Sequence, residues 1–257
     1  MKKILLAAVS ILLVAVLALG GTLAYLLSED EDVNVMVVGN VKIDQLEYER
    51  VVDENGNYVS TGVTDEYGYT PDDLQEYTQD KLIIPAVYDE IKWEDDQQSW
   101  GEVGAPGSNQ LFNKDMKNVQ DKFVFVKNTG NVDAYYRTVI AVECPEGFDE
   151  DLLHLNTTGN SRFTWTEVGF TTIDGVRYLI YEALYNEILV PGEISRPSLL
   201  QVFLDKKAAN EDVALLGNVF SILVVSQGVQ ADGFDSANEA LDEAFGDVTV
   251  DQHPWAD

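Results

Sequence analysis

The sequence predicts an all-β sandwich, and three observations point to it. Short runs with strand composition recur along the chain, separated by clusters of Gly, Pro, Asn and Asp. Several of these runs are apolar on both faces, as buried strands are. Helix signals are few and short, with one well-capped stretch near the C-terminus.

The strands follow in order. Residues 33–38 have strand composition, and Gly39-Asn40 interrupts them. Val41, Ile43 and Leu46 then alternate with polar residues in a half-buried pattern. Residues 47–60 read as a hairpin around Asp53-Glu54-Asn55-Gly56-Asn57, since Asn-Gly tolerates positive φ at both positions. The Asp53, Asn55, Asn57 spacing resembles the start of a calcium loop, but Thr64 stands where the loop needs its closing Glu. Residues 62–118 are rich in acidic, Gln, Gly and aromatic residues and read as an acidic insertion. Short strands are expected within it at 82–84 and 91–93. Trp93 and Trp100 flank its acidic loop 94–99, where they form either a sugar platform or a small local core.

Residues 122–127 are apolar on both faces and predict a central strand. Asn128-Thr129-Gly130-Asn131 is a turn cluster, and residues 134–142 return as a long strand. One or two helical turns are expected over 149–155, with an acidic residue at the N-terminus. Strands follow at 163–168, 176–181, 184–189, 199–204 and 219–226, with a Pro-Gly turn at 190–193. Residues 210–216 predict a short helix. Residues 235–245 predict a second, capped by Asp235 or Ser236, striped with Ala237, Leu241, Ala244 and Phe245, and ended by Gly246.

The N-terminus carries an address. Lys2-Lys3 precede an uncharged run of 24 residues, 4–27, which is long enough to span a bilayer as an anchor. The signal-peptide pattern fits better, because Gly20-Gly21 breaks the helix and Thr22-Leu23-Ala24 is a small-x-small site. The expected cut lies between Ala24 and Tyr25. Residues 1–24 are then a leader, and 25–257 a single domain with 62–118 inserted. Either reading places the remaining chain outside the membrane, with the lysines on the cytoplasmic side.

Charge and cysteine usage narrow the partners. Removing Lys2 and Lys3 takes the formal charge from −29 to −31. Nucleic acid and anionic lipid need clustered basic residues and are therefore excluded as partners. Weak divalent-cation binding suits such a surface, and no dedicated cofactor is expected. Cys144 is alone, so stability rests on a core rather than on disulfides. Of catalytic patterns there is no His-Glu-x-x-His zinc motif, only His154 and His253 being available, and no Gly-x-Ser-x-Gly. No enzyme is expected.

Several stretches together resemble the TasA/camelysin (CalY) family of Firmicutes. They are Gly20-Gly21-Thr22-Leu23-Ala24-Tyr25, then Gly39-Asn40-Val41-Lys42-Ile43-Asp44, then the run from Phe125 through Asn128-Thr129-Gly130-Asn131 to Arg137. Leu189-Val190-Pro191-Gly192-Glu193 and Phe220-Ser221-Ile222 through Gln230-Ala231-Asp232-Gly233-Phe234 complete the set. The resemblance implies a jelly-roll form of the sandwich, leader removal by a SipW-type signal peptidase, and secretion to the surface or biofilm matrix of a Gram-positive bacterium. It further implies a fibre subunit, whose partner is itself or a paralogous matrix protein, assembling when the freed N-terminal segment donates a strand. The donor here is expected in Val33, Val35, Met36, Val37 and Val38, unless that segment pairs within its own subunit. Two alternatives stand beside this: a camelysin-like surface metallopeptidase, and an adhesin or carbohydrate-binding module that holds extracellular polysaccharide at Trp93 and Trp100.

Overall fold

The computed structural model describes residues 36–37, 41–54, 64–65, 68–69, 71, 74–78, 81–87, 117–158 and 162–256. The fold is an all-β sandwich of antiparallel sheets, with two short α-helices among the described residues. Strand β1 (Met36–Val37) pairs with the start of β2 (Val41–Arg50). The short β3 (Thr64–Asp65) and β4 (Gly68–Tyr69) pair with each other, and β5 (Leu74–Glu76) pairs with the far end of β2. Strands β6 (Gln120–Asp121), β7 (Phe123–Asn128), β8 (Ala134–Glu143) and β9 (Leu153–Thr157) follow. Then come the β10–β11 hairpin (Phe163–Ile173 and Val176–Tyr185), β12 (Leu199–Leu204), α1 (Asn210–Leu216), β13 (Ile222–Gln230) and α2 (Ala237–Phe245).

One layer of the sandwich is the sheet β10-β11-β8-β13. The other is assembled from two sheets. β2 pairs with β7 from Ile43↔Asn128 to Tyr48↔Phe123, and β12 lies between β6 and β9. Backbone bonds Lys122 N–H to Leu200 O (2.9 Å) and Ser198 N–H to Val124 O (2.8 Å) join β7 to the start of β12, so the layer runs β2-β7-β12-β9. Side-chain alternation then fills the space between layers. Val124, Ile140, Val142, Leu179, Leu199, Val202 and Leu204 pack at one end of the interior, and Val41, Ile43, Val126, Tyr136, Phe163, Tyr185 and Leu189 at the other.

Both outward faces are apolar as well, which is why β7 and β8 read as apolar throughout. Phe123, Phe125 and Leu200 face away from the interior and pack with Leu46, Tyr48, Leu74 and Ile194. Val139, Ala141, Tyr178 and Ile180 face away on the other layer beneath Val248 and Trp255. Helix α2 lays Ala240 and Leu241 on Val229, Tyr135 and Leu184 of that same layer. The fully buried Arg137 pins it there, donating to Gln227 Oε1 (2.8 Å), Asp242 Oδ1 (3.1 Å), Glu182 Oε1 (3.2 Å) and Gly246 O (2.6 Å).

Several expectations are corrected. Residues 47–50 continue β2, and Tyr48, Glu49 and Arg50 pair with Glu76, Gln75 and Leu74. Residues 55–60 lie outside the described residues. Residues 149–155 give only a 3₁₀ turn, Glu150–Leu152, started by the Asp149 carboxylate on the Asp151 N–H. β9 takes over at Leu153, because Leu153 and Leu155 fill the interior on alternate positions. The strand expected at 176–181 runs on to Tyr185 as β11, carried through Glu182 and Ala183 by the ladder to β8, and of the strand expected at 184–189 the rest leaves the sheet, with only Leu189 bridging to Ala134. Its hairpin turns on Asp174 (φ 50°) and Gly175 (φ 82°), the positive pair that a two-residue reversal requires. β13 starts at Ile222 rather than 219 and runs to Gln230. Residues 82–84 form no ladder; Ile83 turns inward there, and the neighbouring Pro85 bridges to Leu204.

Candidate functional site

Met36 and Val37 form a two-rung ladder with β2 of their own chain, Met36↔Lys42 and Val37↔Val41. Val33, Val35 and Val38 lie outside the described residues, as do Ala24, Tyr25, Trp93 and Trp100. Of the expected assembly strand the structure therefore places two residues, and it pairs them at home.

The seat beneath this ladder is a hydrogen-bonded knot drawn from three distant segments. The Lys42 carbonyl accepts the Thr129 N–H (2.8 Å) and the Gly130 N–H (2.9 Å). Asn128 is wholly buried; its amide donates to Val132 O and Leu189 O, both at 2.8 Å, and its Oδ1 accepts the Gly130 N–H at 2.9 Å. Its backbone is tied to the Pro-Gly turn as well, since Asn128 N–H donates to Glu193 O and Gly192 N–H donates to Asn128 O. Gly192 has φ 84°, the left-handed conformation that closes this turn. Ser195 closes the other side, accepting the Val126 N–H at 2.9 Å and donating to Arg196 O at 2.8 Å. Nearly every polar group here is paired, so the seat is rigid, and among the described residues the ladder upon it has two rungs.

Next to the seat, the sandwich closes along β2 and β13 without a backbone ladder between them. Gln45 does the bridging: its amide donates to Val224 O at 3.2 Å, and its Oε1 accepts the Ser226 hydroxyl at 2.8 Å. Thr138 and Ser226 hydroxyls lie 3.0 Å apart behind it. Ile43 lies against Gly228, where a Cβ would stand 2.9 Å from Ile43 Cδ1.

The far end of β2 is ionic. Lys122 is buried and pairs with Glu47, Lys81 pairs with Glu49, and the two ammonium groups sit 3.8 Å and 4.5 Å from the Tyr77 ring centroid. Burial holds both lysines below their usual range, against the pull of neighbouring carboxylates. Beside them Arg50 grips Asp121 through two bonds, Nε to Oδ2 at 2.5 Å and Nη2 to Oδ1 at 2.7 Å. Gln201 donates to Asp121 at 2.8 Å and accepts from Asn156 at 3.0 Å. These charges are mutually matched, as an end plug of the sandwich requires.

Cys144 is buried, and burial pushes its thiol up. His154 Nε2 stands 3.1 Å from Asp205 Oδ2, in the β9–β12 sheet, while His253 lies against β10 through Thr171. Among the described residues no three His, Cys, Asp or Glu side chains group as metal ligands. No helix among them is long and apolar enough to cross a membrane. Sequence reasoning did not single out Gln45, Gly228 or the Glu47–Lys122 pair. A glycine inside a strand was the one readable signal, because it marks a close approach of another chain segment.

Fold and site together define a class: an all-β sandwich whose first described strand pairs with β2 beside a hydrogen-bonded turn cluster. Comparison of the chain with family models, with curated proteins and with solved structures found no match.

Proposed function

We propose that this chain is a secreted structural subunit of a cell-surface or biofilm matrix in a Gram-positive bacterium. It assembles by donating its N-terminal strand to a second copy, or to a paralogous matrix protein, once a SipW-type peptidase has removed the leader. The observation that carries the reading is the two-rung ladder between Met36–Val37 and Val41–Lys42. Each backbone bond contributes a net ~1 kcal/mol, so the two rungs among the described residues are readily exchanged for the equivalent pairing in a neighbour. A tethered leader would keep the segment beside its own membrane, which makes cleavage the step that licenses exchange. The jelly-roll form of the sandwich is part of the same reading.

Negative-stain microscopy of the secreted protein tests it. The wild type should form fibres, and a secreted variant lacking residues 25–38, with an unchanged β circular-dichroism spectrum, should stay monomeric. Fibres from that variant would sink the proposal. Peptidase assay of the mature protein on casein, with and without a chelator, tests the structural role against a catalytic one.

A further inference from the structure

The outward face of the β10-β11-β8-β13 sheet presents Val139, Ala141, Tyr178 and Ile180, and all four are buried. Their cover includes the chain's own residues 247–256, through Val248 and Trp255. This segment has no ladder to the sheet among the described residues. Its backbone bonds are local: Thr249 N–H to Gln252 O, Gln252 N–H to Thr249 O, and Ala256 N–H to His253 O. Polar attachment is by side chain. The Thr171 hydroxyl on β10 donates to Val250 O at 3.0 Å and stands 3.2 Å from His253 Nε2. The Gln252 amide reaches Phe245 O at the end of α2.

The Thr171 hydroxyl has one proton, and Val250 O takes it. His253 Nε2 must then be the donor in the second contact, so Nε2 carries a proton in the docked ring and Nδ1 decides its charge. Nδ1 is buried and has no hydrogen-bond partner. A second proton there would create a buried N–H with no acceptor, a costly arrangement. The ionised group acting on the ring is Asp251, from the segment itself; β10 faces it with the uncharged Thr171, and Trp255 lies 6.1 Å away, ring to ring. Burial outweighs Asp251 and holds the ring below its usual range.

We propose that residues 247–256 form a pH-sensitive strap, held on the sheet by neutral His253 and released when that ring is protonated. Release uncovers the apolar sheet face around Val139 and Ala141. The sign follows from the depressed value. Docking is fully favourable above the undocked histidine range, about 6.5, and is lost as pH falls through the docked value. Helix α2 does not share the switch. Burial holds its Asp242, and the Glu182 carboxyl beside Arg137, above the usual carboxylate range, so protonating them favours the docked helix.

Hydrogen–deuterium exchange of the full chain, corrected for intrinsic rates and compared between about pH 7.5 and about pH 5, reads the strap directly. Wild-type residues 247–256 should lose protection on acidification, by up to about tenfold for each pH unit separating the docked and undocked values. Residues 237–245 should keep theirs. His253→Gln retains an N–H for Thr171 but cannot titrate, and should stay protected at both pH values. His154→Gln should respond like the wild type. The proposal is overturned if the wild-type segment keeps its protection, if His253→Gln loses it on acidification as the wild type does, or if the response goes with His154. Should His253→Gln be unprotected already at neutral pH, Thr171→Val must free the segment there too; a protected Thr171→Val variant overturns the proposal.

Discussion

At the scale of single residues, small and polar side chains do the work that a backbone ladder does elsewhere. Gly228 is one such residue, because Ile43 occupies the space that any Cβ there would need. Gly228→Val should cost about 1–3 kcal/mol in urea unfolding through overpacking, and Ile43→Ala in the same chain should recover part of that loss. If the two losses simply add, the contact does not matter. Asp205 behaves differently. Burial pushes it up, but the Lys207 N–H at 2.8 Å and His154 more than offset this and hold it below its usual range. Its stabilising effect is therefore present above the unfolded value near 3.9 and disappears as pH falls through the folded one. Asp205→Asn should be less stable than wild type at neutral pH, with the gap closing in acid unfolding below about pH 4. A gap independent of pH would refute this.

At the scale of elements, the seat under β1 depends on one side chain serving three segments. Asn128, itself wholly buried, holds the Val132 and Leu189 carbonyls and the Gly130 amide. Asn128→Ala should destabilise by about 3 kcal/mol, since each orphaned buried group costs about 1–3 kcal/mol. Fibre formation should fall further than stability does, if the knot orients the exchanging strand; the readout is microscopy at a temperature where the variant remains folded. The turn cluster 128–131 and the Pro-Gly turn were legible separately as local reversals. The meeting of the two turns at Asn128, and the first turn's hold on Lys42, were not, because these are contacts across about 60 to 90 positions of chain, which local propensity does not encode.

At the scale of the whole molecule, the sandwich is covered on both outer faces, and Arg137 is the fastening on one of them. Arg137→Met should loosen α2, leaving Glu182 and Asp242 without their partner. Removing one member of a buried ion pair costs about 3–5 kcal/mol, and the partial exposure of both carboxylates places this variant at or below the lower end. Loss of protection confined to residues 237–245 would mark the fastening role; global unfolding with no local step would contradict it.

The sequence by itself determined the all-β class, the central strand at 122–127, the long strand after the Asn-Thr-Gly turn, and both short helices with their limits. Those features are local: period-two burial, turn chemistry and capping act within a few residues, and Ser236 and Gly246 bound α2 as expected. Only the tertiary structure decided where strands stop and what they meet. β11 runs unbroken because β8 pairs with it from Tyr178 to Leu184, and Leu153–Thr157 is a strand because β12 offers it an edge. Partner backbone overrides propensity in such cases, since an extended segment gains its hydrogen bonds only from a neighbour. The N-terminal strand shows the same division. Its composition announced a strand, but pairing Met36 with Lys42 required the folded seat that Asn128 holds together.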